Sequence, residues 1–255
     1  MIDAGNRIAG AMLSLLMLTV LSACVTQLPQ PSTVAVERPD FTGLWKIAAY
    51  DLIVKPENDT VNLTEEAQHR LKNYMTNYDW KGADIPVKFC MPHGMPWIML
   101  SRARDYLFDI YQTPDRITML FEGMDVHRLI RLDQTAVPEA FVPSTNGYSL
   151  GRWEGSTLVI ETSSLRPTNE VVGSYQRSGQ MHITERWRLI DHAEYGRALE
   201  VDMTVVDPVI FRKPAHGYQL FVPAEPGSVL NAYACNESLW DDHVLELESQ
   251  RTKNH

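Results

Sequence analysis

The sequence predicts an all-β domain: an antiparallel barrel, or a curled sheet or sandwich, carrying one early amphipathic helix. Three observations lead there. From Asp40 onward apolar residues recur at every second position over short segments, the period of a half-buried strand. Turn-forming sequences such as Thr113-Pro114-Asp115, Glu154-Gly155, Tyr195-Gly196 and Pro226-Gly227 separate them. One stretch, Glu65 to Tyr78, shows helical spacing instead, with Ala67, Leu71, Tyr74, Met75 and Tyr78 on one face.

In chain order, the alternation predicts strands over Phe41–Val54, Tyr106–Tyr111, Arg116–Glu122, Val126–Leu132, Thr157–Thr162, Gln180–Ile190, Leu199–Val206, Tyr218–Val222 and Val229–Cys235. Their mostly short connections favour antiparallel neighbours. The helix begins at Thr64, an N-cap whose hydroxyl can accept an orphan backbone N–H, and Glu65 and Glu66 suit the positive end of its dipole. It would pack over an edge or an open mouth of the sheet.

Residues 1–24 have the form of a bacterial lipoprotein signal: a short start with Arg7, an apolar run from Ile8 to Val20, and Leu21-Ser22-Ala23-Cys24. A membrane-spanning helix needs roughly 20 apolar residues, whereas a signal core needs about 7–15 ended by small residues. Cleavage before Cys24 and acylation of that cysteine are therefore expected, with the protein tethered to membrane lipid rather than spanning it. Val25 after the cysteine gives no inner-membrane retention signal, which favours the outer membrane, facing the periplasm. The expected organisation is a signal over 1–23, Cys24 with a flexible tether to residue 39, one β domain over 40–240 and a polar tail over 241–255. The tether, rich in proline and poor in aromatics, suits an extended conformation.

The three cysteines are Cys24, Cys90 and Cys235. With Cys24 acylated, the other two form an even pair in a compartment where disulfides persist, so a Cys90–Cys235 bridge is expected, two separate thiols being the alternative. The formal net charge of −9 argues against nucleic acid as a partner and against electrostatic attraction to anionic lipid.

Two resemblances add to this reading. Gly43-Leu44-Trp45 resembles the G-x-W element of lipocalin-like barrels, where the tryptophan plugs the closed end; the sequence shows no partner for that family's terminal arginine, and the helix lies early rather than after the last strand. A wider resemblance covers nearly all of residues 40–237. It runs through Asp40–Trp45, Cys90-Met91-Pro92-His93-Gly94-Met95-Pro96, Gly147–Val159 with its Gly151-Arg152-Trp153-Glu154-Gly155-Ser156-Thr157-Leu158-Val159 core, Glu185-Arg186, Asp207-Pro208 and Ala232–Glu237. Together these are similar to a large bacterial family of secreted proteins with no established function. This chain has Ser156 where that family usually has Asp, and Ile130-Arg131-Leu132-Asp133-Gln134 where it has an arginine-rich segment. The resemblance implies a secreted β domain and no particular chemistry.

Candidate functional residues are polar side chains in the inward phase of strands. Glu185 falls in the row Met181, Ile183, Trp187, Leu189; Arg128 falls in the row Val126, Ile130, Leu132; Asp207 ends the row Leu199, Val201, Met203, Val205. Burying any of the three alone would cost several kcal/mol, so pairing is expected. They would fix strand register, orient a ligand in a largely apolar pocket, or carry proton-transfer chemistry with Arg128 stabilising negative charge. His93, in a loop set by proline and glycine, is a further candidate. His127 and His182 take the outward phase, His69 the solvated side of the helix, and His216 a turn. Trp80, Trp97, Tyr106, Phe108, Tyr111 and Phe121 could line a pocket or belong to the core. No spacing suits a metal ligand set, phosphate loop or nucleophile elbow, so no cofactor is expected. The leading expectation is an envelope lipoprotein that binds a small, largely apolar molecule inside the barrel. The alternatives are a cofactor-free lyase, isomerase or hydrolase using the inward carboxylates and Arg128, and a structural or assembly lipoprotein with a filled interior.

Overall fold

A computed structural model describes residues 37–52, 62–78, 90–92, 94–100, 106–168 and 176–236, with Leu239, Asp242 and Leu245. The signal, Cys24, most of the tether, His93 and Trp80 lie outside the described residues. Among the described residues there are nine strands: β1 Gly43–Leu52, β2 Phe108–Gln112, β3 Arg116–Phe121, β4 Val126–Arg131, β5 Tyr148–Glu154, β6 Thr157–Ser163, β7 His182–His192, β8 Gly196–Val206 and β9 Ala215–Pro223. Each pairs with its successor, and β9 returns to pair with β1, so the sheet closes into a barrel.

Strand direction must alternate all the way round an antiparallel ring, which only an even number of strands allows. With nine, one contact has to be parallel. It is β4 with β5, where Ile130 faces Ser149 and Arg131 faces Leu150, while the remaining pairs are antiparallel. The expected barrel is thus present, with this parallel pair as its departure from the antiparallel expectation.

Two strand expectations need correction. Tyr148–Glu154 is a strand that alternation does not reveal, because its inward row is Ser149, Gly151 and Trp153. Gly151 has no side chain for a steric reason: a Cβ there would lie 2.6 Å from Leu132 Cδ2 and 3.0 Å from Ile130 Cγ2. Conversely, Val229–Cys235 forms no strand. Two of its backbone groups are taken by side chains instead, with Asn231 N–H donating to Glu122 Oε1 at 3.2 Å and Tyr233 N–H to Asp125 Oδ1 at 3.0 Å. Burial raises the Glu122 pKa, but hydrogen bonds from Leu107 and Asn231 outweigh it and leave the carboxyl below its ordinary value.

Aromatic residues close one end of the barrel. Phe41 stacks on Trp153 with ring centres 5.8 Å apart and meets Trp187 edge-on at 5.7 Å. Trp45 is buried and donates its indole N–H to the Phe41 carbonyl at 2.9 Å. Arg197, on β8 rather than near the C-terminus, lies over the Trp45 ring at 5.3 Å and donates to the Asp40 carbonyl at 3.0 Å.

Helices lie towards the other end. In α1, Glu65–Asn77, the Thr64 hydroxyl accepts from Ala67 N–H at 3.1 Å, as a cap requires, and donates to the Val209 carbonyl at 2.6 Å. Ala67 is the buried residue of α1 and Leu71 packs half-buried against the core, while Met75 and the C-cap Tyr78 are exposed. The short helix α2, Trp97–Leu100, buries Met99 and Leu100. Its Leu100 Cδ2 lies 2.7 Å from where a Cβ on Gly217 would sit, so glycine on β9 lets this helix seat against the barrel. Cys90 and Cys235 are joined by a disulfide with Cα atoms 5.7 Å apart, which links the segment leading into α2 to the C-terminal segment.

Candidate functional site

The barrel interior is apolar apart from a few side chains that the strands aim inward. Arg128 on β4 and Glu185 on β7 are 1% and 0% exposed. Between them, β5 and β6 contribute Ser149 and Thr162, also in the inward phase and buried. The guanidinium reaches across these strands and grips the carboxylate in two-point fashion: Nη1 donates to Glu185 Oε1 at 3.1 Å and Nη2 donates to Oε2. Nη2 also donates to Thr162 Oγ1 at 3.0 Å and to Ser149 Oγ at 3.2 Å, and the two hydroxyls are 2.8 Å apart. Trp187 Nε1 donates to Glu185 Oε1 at 3.3 Å. The pairing expected of Arg128 and Glu185 is therefore present, and two hydroxyl residues that sequence reading missed complete it.

Asp207 does not join them. It falls one residue beyond β8, where strand alternation no longer sets direction. Its carboxylate accepts from Ser178 N–H at 2.7 Å, Ser178 hydroxyl at 2.7 Å and Val209 N–H at 3.1 Å. Its carbonyl accepts from Ile210 and Phe211 N–H. That local clamp corrects the expectation of three charges converging on one interior. His127, His182 and His69 are exposed, as their phases implied, while His216 lies on the outer face of β9 rather than in a turn. Phe108 and Phe121 stack within the barrel at 5.3 Å, whereas Tyr106 and Tyr111 are exposed. Among the described residues no group of three or more His, Cys, Asp or Glu side chains is gathered to hold a metal ion.

Gln219 is the functional candidate that the sequence concealed. It lies on β9 in the inward row Ala215, Gly217, Phe221, and it is 0% exposed. Neither its Nε2 nor its Oε1 has a hydrogen-bond partner. Its alternate neighbours Tyr218, Leu220 and Val222 form the more apolar row, and Leu220 is itself buried, so alternation alone points the wrong phase inward. Registers in a closed barrel stagger from strand to strand as the strands tilt. Followed round this ring, they bring Gln219 level with Arg128 and Glu185, across the barrel from Arg128 on β4 and two strands from Glu185 on β7. The interior therefore holds a self-neutralised ion pair and, at the same level, an unpaired amide.

Chemically, the ion pair orients rather than offers a free base: both Glu185 oxygens already accept hydrogen bonds. At this level the Gln219 amide is the group without a partner. An amide buried without a partner costs roughly 2–7 kcal/mol on transfer scales and about 1–3 kcal/mol in proteins. Gln219→Leu is thus expected to stabilise the ligand-free protein by about 1–3 kcal/mol, read from urea unfolding at constant m-value. A variant less stable than the parent would contradict an orphaned amide.

No protein-family model and no curated protein matches the chain.

Proposed function

We propose that this is a lipid-anchored protein of the bacterial cell envelope whose barrel interior binds a small, largely apolar molecule. The observation that carries the reading is a polar level which, among the described residues, interrupts an apolar interior: Arg128, Glu185, Ser149 and Thr162 share it with an amide that has no partner. Pockets for small molecules have this character: apolar walls, with a few convergent polar groups that fix orientation. An interior filled only for stability would gain by replacing Gln219 with a hydrocarbon side chain. The test is mass spectrometry of organic molecules retained by the purified protein. A stoichiometric apolar compound is expected, lost on unfolding, and a protein that retains none and takes up no apolar probe would refute the proposal.

The address rests on Leu21-Ser22-Ala23-Cys24 and on the resemblance of the chain to secreted bacterial proteins. Only a thiol accepts the diacylglycerol, so Cys24→Ala is expected to accumulate as uncleaved precursor without palmitate label. Normal labelling of that variant would overturn the anchor.

A further inference from the structure

We infer that the ligand carries an uncharged head with adjacent hydrogen-bond donor and acceptor, an amide or lactam on an apolar body, and that Gln219 reads it. This rests on the binding proposal above and adds to it the chemical class of the ligand. The charge argument comes first. Arg128 and Glu185 are both buried, and each already has the other as counter-ion, with Ser149 and Thr162 completing the guanidinium's partners. A carboxylate entering this interior would have to take Arg128 from Glu185, stranding that carboxylate beside it; an ammonium would have to take Glu185 from Arg128. Either leaves a buried charge unpaired. A neutral head leaves the pair intact.

The shape of the unsatisfied group narrows the class. A primary amide offers two donors from Nε2 and an acceptor at Oε1, and at Gln219 both atoms are unused. An ether or ester supplies acceptors alone and would leave Oε1 orphaned. A head with a donor next to an acceptor satisfies both atoms at once, as paired amides do. The register neighbours of Gln219 are apolar, Val201 beside it on β8 and Trp187 beyond on β7, which suits a hydrocarbon body.

The experiment titrates the full chain with decanamide, decanoate and decylammonium, one chain length with three head charges, each below its micelle concentration. N-phenyl-1-naphthylamine is the apolar reference probe. Emission from the buried Trp45 and Trp187 and native mass spectrometry report occupancy. Decanamide is expected to bind at least 10-fold more tightly than either charged homologue. Gln219→Leu, and independently Gln219→Met in case one packs poorly, should abolish that preference while leaving the reference probe bound. If the probe binds but decanamide has no advantage, or keeps it in both variants, this inference fails, the amide being served by an ordered water only, and the binding proposal stands. Tighter binding of decanoate would overturn the charge argument. If neither the probe nor any decyl compound binds, both proposals fall.

Discussion

Glu185→Leu alone, or Arg128→Met alone, is expected to cost about 3–5 kcal/mol of folding stability, and the double variant much less than the sum. The asymmetry follows from burial. With both side chains almost fully excluded from water, removing one leaves its partner charged, desolvated and held only by neutral groups. Arg128 would retain Ser149 and Thr162, and Glu185 would retain Trp187 Nε1, so Arg128→Met is expected to be the more damaging single change. Replacing both with apolar residues of similar volume removes the desolvation penalty together with the attraction, an exchange that is often neutral or stabilising. Urea unfolding of the four proteins, read as a double-mutant cycle, gives the coupling directly. Single variants within about 0.5 kcal/mol of the parent would place the two residues in solvent, contrary to the interior assigned here. Glu185→Gln carries the same loss of charge with the packing preserved: it keeps the shape and one acceptor but leaves Arg128 without its counter-ion. If the ligand head must be neutral because the pair is self-neutralised, this variant is expected to shift selectivity towards decanoate.

Sequence made the barrel legible because most of its strands bury one face, and burial writes a period of two. The inward phases of Glu185 and Arg128 were readable for the same reason, each being a charge among four or fewer apolar partners in its row. Three things hid the rest. The β5 row is small or polar where β4 crowds it, as the contact between the Gly151 position and Leu132 shows. Both faces of β9 are buried around Gln219 and Leu220, so no contrast marks the inward one. Asp207 looked like the last member of a strand row, yet the strand ends at Val206 and the loop takes over its carboxylate. Alternation reports where a side chain points only while the ladder lasts. It is silent on which strands meet across the ring, so the bridge from β4 to β7 through Ser149 and Thr162 had no sequence signal beyond the need of each charge for a partner.

Removing the disulfide, as Cys90→Ala with Cys235→Ala, is expected to cost up to about 5 kcal/mol. The sequence separation is 145 residues, and the chain-entropy model gives about 5 kcal/mol for a loop of that order, with measured values commonly 2–5. Where that loss appears matters more than its size. On the Cys90 side, Met95 N–H donates to the Thr145 carbonyl at 3.0 Å and the Met95 carbonyl accepts from Arg177 Nη1 at 2.7 Å, before α2 seats Leu100 against β9. On the Cys235 side, Glu122 and Asp125 hold the backbone of Asn231 and Tyr233. Both anchors are thus fixed by other bonds in the folded protein, so the cross-link acts chiefly on the unfolded chain, which it keeps compact. The variant should therefore keep the parent's circular dichroism and buried-tryptophan emission, unfold at lower urea, and show a larger m-value as its unfolded state expands. Loss of native spectra before any denaturant is added would mean instead that the bridge holds α2 in place. Two thiols that alkylate freely in the native protein would mean that it does not form.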